Sequence, residues 1–172
     1  LISARLRLAD GFLEIGESER AREHAMGVHD LSLELSEHQL HARSRVILGR
    51  YYARTKDSEL SLLHYNAALE TFSEEANPTN AVETEMLLGQ VLVDVGRTSE
   101  ASEHYLDALS IAEANDFRLL QAEILARLGT IRGDRSERVA YLQRSLSVFK
   151  DLGAHTRMKE IQNSVHRALM GR

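Results

Sequence analysis

Residues 48–69, LGRYYARTKDSELSLLHYNAAL, and residues 88–109, LGQVLVDVGRTSEASEHYLDAL, decide the fold, because the second repeats the first at a spacing of 40 residues. Leu128-Gly129 continues the series, and Leu8-Ala9 begins it with one letter changed. Other positions keep the same offsets: Phe12, Tyr52 and Leu92; Ala21, Ser61 and Ala101; Ala25, Tyr65 and Tyr105; Val28, Ala68 and Ala108. A period of 20 to 50 residues marks one supersecondary unit, stacked so that each copy buries a face it cannot bury alone. The second-helix motif moves from Ala108-Leu109 to Ser145-Leu146, a step of 37, so the fourth copy has lost about three residues near Gly133. That predicts a tighter fourth hairpin.

Apolar spacing is helical throughout, and polar breaks near Gly16-Glu17, Ser36, Lys56-Asp57, Asn77-Pro78, Gly96-Arg97, Asn115-Asp116, Gly133-Asp134 and Gly153 divide the chain into about nine helices. Ser36 with Gln39 and Asp134 with Glu137 read as capping boxes, and Thr98 reads as an N-cap. Short loops force neighbouring helices to run antiparallel. The expectation is an all-α, right-handed superhelical solenoid of antiparallel helix pairs. One repeat domain is expected over residues 1–172, with repeats at about 1–36, 37–76, 77–116 and 117–152 and a terminal capping helix at 153–172, the whole a fragment of a larger protein. The last helix shows an apolar stripe of Met158, Ile161, Val165 and Leu169, as a cap or half of a further repeat would.

Composition excludes several classes of function. The 172 residues hold no cysteine, so disulfides, thiol catalysis and Cys-type zinc sites are absent. No apolar run approaches the roughly 18 residues needed to span a bilayer, so no membrane partner is expected, and a cytoplasmic location suits the missing cysteines. There is no Gly-rich phosphate loop, nucleophile elbow or HExxH motif, and the chain is not expected to be an enzyme. His24, His64 and His104 stand 40 apart, yet equivalent atoms in successive repeats are two helix layers away, at roughly 8–10 Å per layer, while zinc ligands lie about 2 Å from one ion. Neither a metal nor a cofactor is expected.

Charge is uneven: net −4 over residues 1–40, 0 over 41–80, −6 over 81–120 and +5 over 121–172. The basic end spreads over three helices without interleaved aromatics, and the overall charge is −5, so direct nucleic-acid binding is not expected.

The order of small-aliphatic pair, aromatic, turn glycine, alanine, aromatic and Ala-Leu resembles the tetratricopeptide repeat. The resemblance is best in 48–69 and 88–109 and weakest in the first copy, where Ala9 replaces Gly and Ala25 the aromatic. The period departs from the family's usual 34 residues, and the six extra residues add about 9 Å of helix to each hairpin at roughly 1.5 Å per residue. Repeats of this length look like those of bacterial signalling regulators and transcriptional activators of the large ATPase type, and like those of kinesin light chains and spindle-orientation adaptors. The resemblance implies a protein-interaction scaffold that uses the concave face lined by the first helix of each repeat. Carried over to this chain, the partner-binding positions are Arg43, Val46, Arg50, Ala53 and Arg54; Glu83, Met86, Gln90, Val93 and Asp94; Glu123, Ala126 and Thr130; and, in the first repeat, Ser3, Leu6, Asp10, Leu13 and Glu14. Arg43, Arg50 and Arg54 form a basic stripe suited to an acidic protein or peptide partner. An alternative use of Arg50 and Arg54 is cross-repeat ion pairing with Glu83, Gln90 or Asp94. Other readings are a self-association module giving a homo-oligomer, and a sensor of a signalling peptide or small ligand.

Overall fold

A computed structural model describes residues 2–131 and 133–170. These form nine α-helices and no strand: α1 (Ile2–Glu14), α2 (Ser18–Glu34), α3 (His38–Arg54), α4 (Ser58–Glu74), α5 (Pro78–Asp94), α6 (Thr98–Ala114), α7 (Arg118–Leu128), α8 (Arg135–Asp151) and α9 (His155–Met170). The helix count and the all-α class agree with the reading of the sequence.

Most of the chain is built on a 20-residue half-period. Helices α2 to α6 are 17 residues each, and three residues separate each from the next. The cause is a helix stop repeated at fixed intervals. Gly16, Ser36, Lys56, Ala76, Gly96, Asp116 and Gly153 all have positive φ. At each, the next residue's N–H reaches back to a carbonyl five positions earlier, as from Glu17 to Phe12 (2.9 Å), Asp57 to Tyr52 (2.9 Å) and Asn77 to Phe72 (2.8 Å). That pair of a left-handed residue and a six-to-one bond is the Schellman stop, which satisfies the last carbonyls of the helix. Ser36 therefore ends α2 and does not cap α3; the cap position is Glu37, without a side-chain bond. Thr98 is likewise the first residue of α6, behind Arg97. Side-chain caps stand elsewhere: Asp57 accepts from Leu60 N (3.2 Å), Asn77 from Asn80 N (3.3 Å) and Asp134 from Ser136 N (3.3 Å).

The fourth hairpin departs from this rule, and not in the direction expected. Helix α7 stops after 11 residues, and residues 129–134 connect it to α8 in place of the usual three-residue stop. The lost residues came out of α7, whose last turns are missing, so the connection is longer and not tighter.

The chain comprises two compact units, residues 1–91 and 92–172. In the first, Leu6, Ala9 and Leu13 of α1 pack with Ala21, Ala25 and Val28 of α2 and with Ile47 and Leu48 of α3. Their spacing of three or four puts each set on one helix face, and each buried leucine contributes roughly 1.5–3 kcal/mol. In the second, Ala122, Leu142, Phe149, Ile161 and Ala168 form the core, with Met158 and Val165 against it. Leu169 is 46% exposed, so the buried stripe of α9 runs through Ala168 and not Leu169.

Small residues let the paired helices approach. Gly49 lies under the ring of Tyr65, and Gly129 under Leu142. Ser61 donates to the carbonyl of Gly49 (2.9 Å), and Ser145 to that of Ala122 (2.7 Å). Both hydroxyls are fully buried, where an unpaired one would cost about 1–3 kcal/mol.

Candidate functional site

In the first unit, the first helices α1 and α3 bring together charges 36 and 40 residues apart. Arg50 donates through Nη1 to Asp10 Oδ1 (3.1 Å) and through Nη2 to Glu14 Oε1 (2.6 Å). The repeat period places Arg50 level with Asp10, and the next helical turn places Glu14 beside it. These are the partners of Arg50; the anticipated pairing with Glu83, Gln90 or Asp94 is not the one formed by this arginine. Burial pushes the carboxyl of Asp10 up, against the pull of the Arg50 and Arg43 guanidinium groups, while Glu14 adds to the rise. The basic stripe is thus partly neutralised within the protein. Arg43 and Val46 are half-buried on the same helix, and Arg54 is exposed at its end. Leu6 and Leu13 are fully buried, so the positions carried over to the first repeat do not all face outward: these two are core. Glu83 is exposed, Gln90 half-buried, and Met86 only 8% exposed, with little surface to offer.

In the second unit, α7, α8 and α9 enclose a cavity of about 200 Å³ lined by Glu123, Ala126, Arg127, Phe149, Arg157, Glu160 and Ile161. Phe149 and Ile161 are buried and form an apolar floor. Arg157 donates through Nη1 to Glu160 Oε2 (2.9 Å) and through Nη2 to Glu123 Oε1 (3.5 Å), and so joins α9 to α7 across the mouth. Arg127 lies 6.0 Å from the ring centre of Tyr105. Apolar floor and charged rim of both signs suit a side chain with a polar end. Glu123 and Ala126 were legible from the repeat register. Arg157, Glu160 and Ile161 were not, because α9 read as a cap; its place after a 17-residue second helix was the available signal. Asp94 is exposed; Thr130 is exposed too, and its hydroxyl donates to the carbonyl of Arg127 (2.7 Å).

Two of the histidines spaced at 40, His24 and His64, have a packing role. His24 stacks on Phe12 (5.2 Å between ring centres) and His64 on Tyr52 (5.3 Å). A further pair, His29 and His41, lies 4.2 Å apart between α2 and α3, and Arg45 Nε donates to His41 Nε2 (3.0 Å). Among the described residues no group of three His, Asp or Glu is placed to hold a metal ion, and no helix is long and apolar enough to cross a membrane.

Comparison with known proteins gives a consistent fold. Residues 86–115 match the family model described as Tetratricopeptide repeat. No curated protein matches the sequence. The crystal structure of the apo form of RapI superimposes with a TM-score of 0.87 at 16% identity, over 97% of this chain and 62% of that one. A signal transduction ATPase with a tetratricopeptide repeat sensor, from Pyrococcus horikoshii, gives 0.84 at 14% identity, over 97% of this chain and 26% of that one. The Rap conjugation gene regulator of plasmid pLS20, in complex with the Phr* peptide, gives 0.67 at 15% identity, over 94% and 51%. The chain therefore spans less than two thirds of the length of each of these structures. The 40-residue register, the paired helices and these likenesses converge: residues 86–115 match a tetratricopeptide repeat, and the chain has an all-α, TPR-like solenoid fold.

Proposed function

We propose that the chain is the partner-binding segment of a larger bacterial regulatory or signalling protein, and that it takes a peptide or protein segment on the first-helix faces of its repeats. It acts as a scaffold and not as an enzyme. The observation that carries this reading is the cavity of about 200 Å³ between α7 and α9, with Phe149 and Ile161 as floor and Glu123, Arg157 and Glu160 at its rim. Glu123 and Ala126 occupy positions that the family resemblance assigns to partner contact. Support also comes from the pLS20 Rap regulator, a structure of the same fold that holds a peptide.

Each unit has further first-helix positions for contact: Arg43, Val46, Arg50, Arg54, Glu83 and Gln90 in the first, with little surface added by Met86, and Asp94 and Thr130 in the second. Because Arg50 already holds Asp10 and Glu14, a partner of mixed charge, whose acidic groups replace these two, fits better than a uniformly acidic one. A cytoplasmic setting accords with this role.

The test is selection of a displayed peptide library on the immobilised chain, in parallel with an Ala126→Trp variant that fills the cavity. Enriched peptides should bind the wild type and lose at least tenfold in affinity to the variant. Equal binding to both, or no enrichment at all, would overturn the reading.

A further inference from the structure

We propose that the second unit holds an oxyanion site, separate from the cavity described above, in which Arg138 of α8 and Arg167 of α9 bind a phosphoryl group. The argument begins with a departure from the repeat. Position 138 is 37 residues after Ala101 and corresponds to Ala21, Ser61 and Ala101 of the earlier copies, all fully buried. A small residue is required there because it lies against the backbone of the first helix, as the Ser61 bond to the Gly49 carbonyl shows. The fourth repeat has arginine instead. Its Nε donates to the carbonyl of Gly129 (3.3 Å), the counterpart of Gly49. The early end of α7 at Leu128 makes room for it.

That one weak bond does not account for an arginine where the other copies hold alanine or serine. Arg138 lines a cavity of about 160 Å³ together with Gly129, Thr130, Ser164 and Arg167, and among the described residues no carboxylate lines it. Arg118, Arg144 and Arg157 of the same unit each hold a carboxylate, at 3.3, 2.9 and 2.9 Å. Among the described residues, Arg138 and Arg167 hold none. Arg167 uses one Nη to donate to Ser164 Oγ (3.1 Å). Among the described residues, that leaves both Nη atoms of Arg138, and Nε and the other Nη of Arg167, for a ligand.

The chemistry of these donors selects the ligand. Two guanidinium groups match the charge of a phosphate monoester, about −1.5 to −2 near neutral pH, and several planar N–H donors suit three terminal oxygens better than the two of a carboxylate. The hydroxyls of Thr130 and Ser164 rest on the carbonyls of Arg127 (2.7 Å) and Glu160 (3.2 Å), from which they can turn toward a bound oxygen. The space admits one phosphoryl group and its ester oxygen. Its source is either a free phosphate compound or a phosphorylated side chain on a partner.

The experiment is calorimetric titration at low salt with inorganic phosphate, with a short phosphoserine peptide and with acetate, for the wild type, Arg138→Ala and Arg167→Gln. Arg138→Ala installs the residue of the first and third repeats and is expected to fold, as circular dichroism would verify; Arg167→Gln changes an exposed position. Saturable binding of phosphate or of the peptide, weakened tenfold or more in both variants and absent with acetate, supports the site. Tighter binding of the peptide than of phosphate assigns a modified side chain as ligand, and equal binding assigns the free anion. No saturable binding of either, equal binding by the variants, or acetate as tight as phosphate would overturn the proposal.

Discussion

A Cβ atom added to Gly49 would stand 2.5 Å from Cε1 of Tyr65. The aromatic ring of the second helix lies against the backbone of the first, and only glycine leaves it room. The same contact recurs between Gly129 and Leu142, also at 2.5 Å. The Leu-Gly pair that recurs every 40 residues is therefore a packing device at Gly49 and Gly129.

Gly49→Ala should destabilise the protein even though alanine is favoured over glycine inside a helix by about 1 kcal/mol. Overpacking of this kind costs about 1–3 kcal/mol, and Tyr65 cannot easily give way, since it is 1% exposed. Gly11 supplies the control: nothing lies within 4 Å of its added Cβ, so Gly11→Ala should stabilise by about 0.5–1 kcal/mol. Urea midpoints check both, and a stabilised Gly49→Ala would sink the close-packing argument.

The left-handed helix stops are occupied by four residues other than glycine, among them Ala76 at φ 48° and Lys56 at φ 66°. A side chain there costs roughly 1 kcal/mol or more. Ala76→Gly should raise stability by about 0.5–1 kcal/mol after the extra chain entropy of glycine is counted. The reverse change, Gly96→Ala at φ 82°, should lower it by a similar amount. Thermal melts of the pair would settle the point, with unchanged midpoints counting against strain at these stops.

Arg50 lowers the pKa of Asp10 while burial raises it. Arg50→Gln should therefore move the Asp10 titration further up. Stability at neutral pH should change little, by no more than about 1 kcal/mol, since Asp10 and Glu14 are 42% and 69% exposed and such pairs are weak. Carboxyl-detected NMR titration gives the direct reading, and an unmoved Asp10 would show that the bridge does not govern it.

Acid should weaken the seam of α2, α3 and α4. Burial and the nearby Arg45 push His29 and His64 down, and burial, His29 and Arg45 push His41 down; the Nδ1 atoms of all three are buried without a hydrogen-bond partner. Asp30 acts in the opposite sense on His29, and a hydrogen bond with the His29 backbone does so on His41, without reversing either shift. Because the folded protein binds these protons less readily than the unfolded chain, whose histidines titrate near 6.5, stability is complete above that pH and falls as the pH drops below it. Protonation of His41 at Nε2 would also remove the acceptor of the Arg45 bond. Melting temperatures from pH 7.5 to 5 should fall, and fall less steeply in His41→Gln; parallel curves for the two proteins would refute the assignment.

The sequence by itself determined the all-α class, the helix breaks and the 40-residue register, because these depend on local periodicity and on stops set by a few neighbouring residues. It also marked Arg50, Asp10 and Glu123 as members of the first-helix faces. Tertiary structure decided what local pattern does not contain. Ser36 resembles a cap in any short window, yet its left-handed backbone ends the preceding helix. Three residues missing from the fourth repeat shorten α7 and lengthen the loop, since α8 must keep Leu142 over Gly129. Arg157 and Glu160 face α7, and Arg138 faces Arg167, only because α9 packs there. Which charges meet depends on how helices far apart in the chain pack, and packing is a property of the assembled core.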